Sequence, residues 1–385
     1  MNVISVGLAA SVLTSNTDDA RQRQMRYAQA IGSLRLILPR EGGTGAKPVA
    51  LSESLTVYTA SKPNWPLFIP NAVRVAGEIA RREKVDLVTV QDPFVGGLIG
   101  TILKKRYGWP LEIQSHSTFF DNPHWIAERP MIHGALNVVG KQVLRQANGW
   151  RVSNLHQQER YLALGLPADR VWRIPIPVNF QNFQKPITAE QRQAIRAGWG
   201  VTDDAPVFLW AGRPVPFKNL PTLLRASRTV FDQMPQTRLV LIGDFSRAPQ
   251  LIALADSLKL GENVIWPGPV PHADIPATFR AADVYVLPSW YEGLARVLME
   301  AAISELPIVA ARSPGVWDAV AHGETGFLSE PGDSAALAEH MLALAADLPR
   351  ARAMGQRGAQ FAAQEFDSQK LQAAIIRAWQ MCATR

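Results

Sequence analysis

Short apolar runs alternate along this chain with stretches whose apolar positions recur every three or four residues. The first pattern suits buried strands and the second amphipathic helices. NVISVGL (Asn2 to Leu8) reads as a strand and Asp18 to Gly32 as a helix with acidic residues at its start. SLRLILP and SLTVYTA are strand candidates, and Asn71 to Lys84 has helical period. Val85 to Gln91 reads as a buried strand, Gly96 to Tyr107 as a helix and Leu111 to Ser115 as a strand. Arg170 to Phe183, with Pro175 and Pro177, looks like the exit from a first domain. A short helix follows in ITAEQRQAIRAGWG. The alternation then resumes: PVFLWAG, a helix from Leu220, RLVLIGD, a helix through Leu258, NVIWPG, a helix through Ala282, DVYVLPS, and PIVAA (Pro307 to Ala311).

Strand–helix alternation of this kind implies right-handed crossovers and parallel sheets. A chain of 385 residues is also too long for one typical core. The expected fold class is α/β, with two doubly wound Rossmann-like domains facing a cleft. Residues 1–182 form the first and 183–365 the second, and 366–385 make a C-terminal helix packing back on the first. A ligand belongs at the carboxyl ends of the strands, where such sheets bind them.

Composition narrows the class. At 47% hydrophobic and 19% charged, with no low-complexity tract, the chain is an ordinary globular one. The apolar run VGGLIGTIL (Val95 to Leu103) is far too short to span a bilayer. The start, MNVISVGLAASVL, lacks a basic leader, so no signal peptide is expected. A single cysteine, Cys382, can build neither a disulfide framework nor a cysteine metal site, which fits a cytoplasmic location.

Charge is uneven. Through Lys185 there are 22 Lys/Arg against 13 Asp/Glu, and beyond it 18 against 20. The basic excess lies in clusters such as Arg81 to Lys84, Lys104 to Arg106 and Lys141 to Arg151. It suits contact with an anionic lipid, a pyrophosphate-linked acceptor or nucleic acid, and a solvated basic face fits equally well. No zinc-finger spacing, RNP-like strand or basic heptad helix marks a nucleic-acid module.

The most informative stretch is PSWYEGLARVLMEA, from Pro288 to Ala301. It predicts strand, tight turn and helix, with Glu292 at the helix mouth and Glu300 about two turns on. The first amides, from Gly293 to Arg296, are then available to a phosphate or polar ligand. An ordinary helix with a capping glutamate and one solvated glutamate fits the spacing too. Other strand ends carry chemistry as well. Gly212, Arg213 and Lys218 follow PVFLWA, Gly243 and Asp244 follow RLVLI, and Gly268 closes NVIWPG. Two cations just past a strand can neutralise a diphosphate.

The order GR-x4-K, Gly243, PS-x2-EG-x6-E and SPGVWDAVAHGETGFL resembles the family 4 retaining glycosyltransferases of the GT-B fold. The EGLARVLMEA form is closest to members that build bacterial surface polysaccharides. Val90 to Gly100 and Ile113 to Pro123 resemble the same family's acceptor domain. The resemblance implies that Arg213 and Lys218 contact the donor diphosphate and that Glu300 holds the ribose. Glu292 then sits at the donor sugar, with the amides of Gly293, Leu294, Ala295 and Arg296 on sugar or phosphate. Gly212, Gly243 and Gly268 belong to the donor side, and His116 to the position that faces the sugar. Ser15, Asn16, Asp92 and Asp121 are acceptor-side candidates.

The function so implied is retaining, metal-independent transfer from a nucleotide-diphosphate sugar, taken as UDP-linked, to a glycan or lipid-linked acceptor in surface polysaccharide synthesis. No cofactor and no metal site are expected. Asp203-Asp204 precedes a strand rather than ending one, so it is not the acidic pair of metal-dependent transferases. The alternatives are a sugar-nucleotide epimerase on the same fold and a non-catalytic nucleotide-sugar-binding subunit. Lys62 to Pro70 (KPNWPLFIP) and the basic first half suit peripheral docking at the inner membrane face, and a loop packed on its own domain fits that stretch as well. Two departures stand out. EGFGL has become EGLAR, and the first strand lacks the usual Gly-Gly turn, leaving Gly7, Ser15 and Asn16.

Overall fold

The computed structural model describes residues 1–7, 11–14, 19–41 and 47–384. The candidates Ser15 and Asn16 lie outside the described residues. The chain divides into two compact units: Met1–Pro177 with Ser368–Arg385, and Val178–Asp367. The crossings fall at 177/178 and 367/368, where the sequence pattern placed them at 182/183 and 365/366.

The first unit contains β1 (Asn2–Val6), α1 (Ser11–Thr14), α2 (Asp19–Ile31), β2 (Ser33–Arg40), β3 (Val49–Ala50), β4 (Leu55–Ser61) and α3 (Trp65–Ala80). Next come β5 (Leu87–Val90), α4 (Val95–Tyr107), β6 (Leu111–Ser115), α5 (Pro123–Glu128), α6 (Pro130–Leu144), β7 (Gly149–Val152), α7 (Leu155–Ala163) and β8 (Val171–Arg173). The strands pair in the order β3-β4-β2-β1-β5-β6-β7-β8. All pairs are parallel except the short β3–β4 hairpin.

The second unit runs α8 (Ala189–Gly198), β9 (Val207–Ala211), α9 (Leu220–Gln233), β10 (Arg238–Ile242), α10 (Pro249–Ser257), β11 (Val264–Gly268) and α11 (Ile275–Ala281). It continues with β12 (Val284–Leu287), α12 (Arg296–Ile303), β13 (Ile308–Ala311), β14 (Gly326–Ser329), α13 (Ser334–Ala345) and α14 (Leu348–Glu365). Its sheet is wholly parallel, in the order β11-β10-β9-β12-β13-β14. Central strands such as VFLWA and VYVL are buried along their whole length, as strands covered by helices on both faces must be. Apart from the edge hairpin, the strand order reverses between β1 and β5 in the first sheet and between β9 and β12 in the second. Those are the points where adjacent loops part and leave room for a ligand.

Two elements differ from the sequence pattern. Helix α3 starts six residues before Asn71, because Asn64 caps it by accepting from Leu67 N at 2.9 Å, with Pro66 in the first turn. KPNWPLFIP is therefore mostly helix rather than loop. Helix α12 starts at Arg296, so Glu292 stands in the turn before it and not at its mouth. Strand β14 carried no clear signal in the sequence.

The last helix, α15 (Ser368–Ala383), belongs to the first unit. Its Trp379 stacks edge-on against Tyr27 and donates from Nε1 to the buried Glu112 carboxylate at 3.0 Å. Glu112 Oε2 also accepts from Thr89 and, at 3.1 Å, from Gln114. Burial pushes the Glu112 carboxyl up, partly offset by these donors and by Arg151. Removing one donor from a buried carboxylate leaves desolvation uncompensated. Trp379→Phe should lower unfolding free energy by about 1–3 kcal/mol in a denaturant titration. An unchanged midpoint would show that the indole nitrogen does not hold α15.

Candidate active site

In the second unit, Arg213, Lys218, Glu292 and Glu300 line one cavity of about 500 Å³, together with Gly212, Leu294, Ala295 and Arg296. The topology explains the gathering. Strand β9 delivers the 212–219 loop, its neighbour β12 delivers the 288–295 loop, and the two flank the point where strand order reverses.

The two loops are stitched together. Asn219, held in the left-handed region at φ 51°, donates from its side chain to Pro288 O at 3.1 Å. Trp290 N donates to Phe217 O at 2.8 Å, and the Phe217 and Tyr291 rings stack with centroids 5.0 Å apart. At the centre, Lys218 Nζ lies 2.7 Å from Glu292 Oε1, which also accepts from Ser289 Oγ at 2.7 Å. Both charged side chains are largely buried, at 15% and 9% exposed. Truncating either would strand its partner's charge in a partly dry site.

A third loop backs this pair. Glu292 N donates to Pro314 O at 2.8 Å. Gly315, at φ +78°, lies so close that a Cβ would sit 2.5 Å from Glu292 O. Only glycine meets both demands. Arg296 and Val297, which open α12, line the cavity, and Arg296 reaches Glu300 one turn on at 3.6 Å.

Several sequence candidates lie elsewhere. Gly243 and Gly268 do not line the cavity. Gly243 N donates to Gly268 O at 3.2 Å, and Gly243 packs against Gly212 O too closely for a side chain, so it supports the 212 loop from behind. Gly293 is buried and does not line the cavity. The amides expected from Gly293 onward belong to a turn, in which Ala295 N reaches Gly315 O at 3.4 Å. Asp244 caps its own turn, accepting from Ser246 Oγ at 2.6 Å. His272 and Ile275 join the cavity from the loop before α11 and from its start. No spacing in the sequence marked either residue. Ser289 and Gly315 sat inside recognised stretches, but nothing linear showed what they touch.

In the first unit, His116 lines a small polar cavity of about 90 Å³ with Arg23, Tyr27, Gln91, Gln114 and Arg151. The residue keeps some exposure, yet its Nδ1 is buried without a hydrogen-bond partner among the described residues. Burial, then the Arg151 and Arg23 charges, push the imidazole down to about 3, so it is neutral at physiological pH. Asp92 and Asp121 are engaged internally. Asp92 is buried and accepts from Phe94 N and Gly96 N at 2.8 and 2.9 Å, capping the start of α4. Burial raises its carboxyl despite those amides. Asp121 pairs with Lys141 at 2.5 Å and with Arg160. Burial would raise its carboxyl, but Lys141, Asn137 and Arg160 outweigh that and lower it. Neither aspartate lines the His116 cavity.

Two measurements check this geometry. Gly315→Ala should cost about 1–3 kcal/mol of unfolding free energy, since it adds a side chain at a positive φ against a backbone carbonyl. Unaltered stability would contradict the packing of the third loop. For His116, the folded form resists a proton that the unfolded form accepts near 6.5. Its share of stability is complete above that value and drains away as pH falls toward about 3. His116→Gln should therefore lose less stability than wild type between pH 6.5 and about 4 in pH-dependent denaturation. Parallel curves would mean that the imidazole titrates normally.

Residues 191–361 match the family model for glycosyl transferases group 1. The D-inositol 3-phosphate glycosyltransferase of Streptomyces avermitilis is 30% identical over 280 residues, covering 70% of this chain and 60% of that protein. The chain thus spans less than two thirds of that relative's length. Sucrose-phosphate synthase from Thermosynechococcus elongatus aligns with a TM-score of 0.80 at 20% identity, over 99% of this chain and 98% of that one. Anabaena HepE in complex with UDP-glucose aligns at 0.75 and 20% identity, over 97% and 98%. Residues 191–361 are thus a group 1 glycosyl transferase domain, in a chain whose two parallel-sheet units share the fold of known GT-B glycosyltransferases.

Proposed function

We propose that this chain is a glycosyltransferase that moves a hexose from a UDP-sugar to a glycan or lipid-linked acceptor in surface polysaccharide synthesis, with retention and without a metal. The observation that carries this reading is the gathering of Arg213, Lys218, Glu292 and Glu300 on one cavity beside the strand reversal. The group 1 glycosyl transferase match over the same unit supports it, as does the UDP-glucose held by a protein of the same fold.

In this reading Arg213 and Lys218 meet the diphosphate, Glu300 takes the ribose hydroxyls and Glu292 the sugar. The bond between sugar C1 and the β-phosphate oxygen breaks, and negative charge grows on that phosphate. Fixed cations and the first amides of α12 stabilise it. The acceptor oxygen bonds to C1 on the face the phosphate leaves, and its proton passes to the departing phosphate. Glu292 is already tied to Lys218 and Ser289, which suits a residue that orients hydroxyls better than a covalent nucleophile.

For an acceptor that carries a phosphate, the small first-unit cavity sets Arg23 and a neutral His116 beside the charge of Arg151, whose guanidinium nitrogens hold Gln114 and the carbonyls of Ile174 and Pro175. A phosphorylated polyol, of the kind named for the D-inositol 3-phosphate relatives, is the second reading that this cavity favours.

UDP-, GDP- and ADP-sugars should be compared for thermal stabilisation and slow hydrolysis. A UDP-sugar at 100 times its Kd adds about 2.7 kcal/mol, a readily measured rise in midpoint. Binding by none of them would overturn the reading, and an epimerised nucleotide sugar without released UDP would identify an epimerase. Lys218→Ala should lower transfer by about 100-fold or more while the fold persists. Near-normal turnover would remove Lys218 from the leaving-group role.

A further inference from the structure

Crossovers from β4 to β5, β5 to β6, β6 to β7 and β7 to β8 all proceed in one direction along the first sheet. Right-handed connections then place α3, α4, α6 and α7 on the same face. Their inner sides share one core with the sheet. Their outer sides are unusual. Twelve large apolar side chains are exposed among the described residues, and nine of them stand on these four helices.

Helix α6 carries the longest stripe, with Met131 90% exposed and Ile132, Val138 and Val139 following at helical spacing. Trp65 and Leu67 stand out from the first turn of α3. Between α3 and α4 runs a groove of about 480 Å³, floored by Ile69, Val73 and Ile102 and edged by Arg74, Arg81 and Arg106. Neither α4 nor α6 contains an acidic residue, and Lys104, Lys105 and Arg145 stand on or just after these helices. Arg74 and Lys141 are matched locally by Glu78 and Asp121, which leaves Arg81 and Arg106 as the principal rim charges. The proline-aromatic stretch and two of the basic clusters, far apart in sequence, thus meet on one surface.

We propose that this helix layer is the docking surface for an anionic lipid bilayer. Apolar side chains of α6 and the α3 start enter the interface, while the arginine rim meets headgroup phosphates. Charge selects this occupant over a second copy. Two such faces brought together would oppose like charges across the contact, whereas an anionic membrane neutralises them. The proposal deepens the lipid-linked acceptor reading, and it is measured without donor or turnover, so either can fail alone.

The test is flotation of the full chain with phosphatidylglycerol–phosphatidylcholine vesicles and with phosphatidylcholine alone. Binding should be at least about 10-fold stronger to the anionic vesicles and fall steeply at 0.5 M salt, roughly where the Debye length drops to a few ångströms. The triple variant Met131→Ser, Ile132→Ser, Val138→Ser and the double variant Arg81→Glu, Arg106→Glu alter exposed or rim positions. Each should lose at least about five-fold in vesicle binding, with unchanged circular dichroism and unchanged thermal response to UDP. Equal binding to both vesicle types, or variants that float like wild type, would overturn the proposal. So would a wild-type dimer in light scattering that both variants convert to monomer.

Discussion

The second unit is organised around one ion pair. Lys218 and Glu292 come from loops after neighbouring strands and meet at 2.7 Å in a site largely closed to water. Each charge costs less there beside the other than alone, which favours a single register of the two loops. The consequences spread outward. Asn219 adopts a left-handed conformation to reach Pro288, Trp290 bonds back to Phe217, and Gly315 slides beneath the carbonyl of Glu292. What emerges is a rigid rim of cations and carboxylates, the kind of preorganised field that stabilises charge developing on a leaving phosphate.

Much of this was legible in the linear sequence, for a physical reason. Strands buried on both faces read as unbroken runs of Val, Leu, Ile and aromatic residues, and helices between them keep a 3.6-residue period. A parallel arrangement then forces every functional loop to one end of the sheet, which put Arg213, Lys218, Glu292 and Glu300 together in advance. Contacts between loops were not legible. Nothing in SPG says that its glycine lies under Glu292, and nothing near His272 says that it reaches the same cavity. The α12 start was misplaced because Gly293 and Leu294 can continue a helix, whereas backbone bonding to Pro314 and Gly315 holds a turn.

The first unit was less transparent. Asp92 and Asp121 stand at loop positions that suggest ligand contact, yet one caps a helix and the other anchors Lys141 and Arg160. Short polar side chains serve caps and ligands alike, and sequence does not separate the two uses. The stretch from Lys62 to Pro70 looked irregular because of its three prolines, but proline is at home in a first helical turn, and the Asn64 cap outweighs the later Pro70. Its exposed Trp65 and Leu67 acquire meaning only beside α4 and α6. The helix layer on one side and the polar His116 cavity at the strand reversal give this unit an amphipathic surface and a cationic pocket.

The central claim is that the second-unit cavity holds a nucleoside diphosphate between Arg213 and Lys218, with its ribose at Glu300. A crystal structure of the chain soaked with UDP tests it most directly. The account predicts phosphate oxygens within about 3 Å of both cations and ribose hydroxyls at hydrogen-bond distance from the Glu300 carboxylate. UDP bound elsewhere, or a diphosphate turned away from Lys218 with the Lys218–Glu292 pair undisturbed, would contradict it.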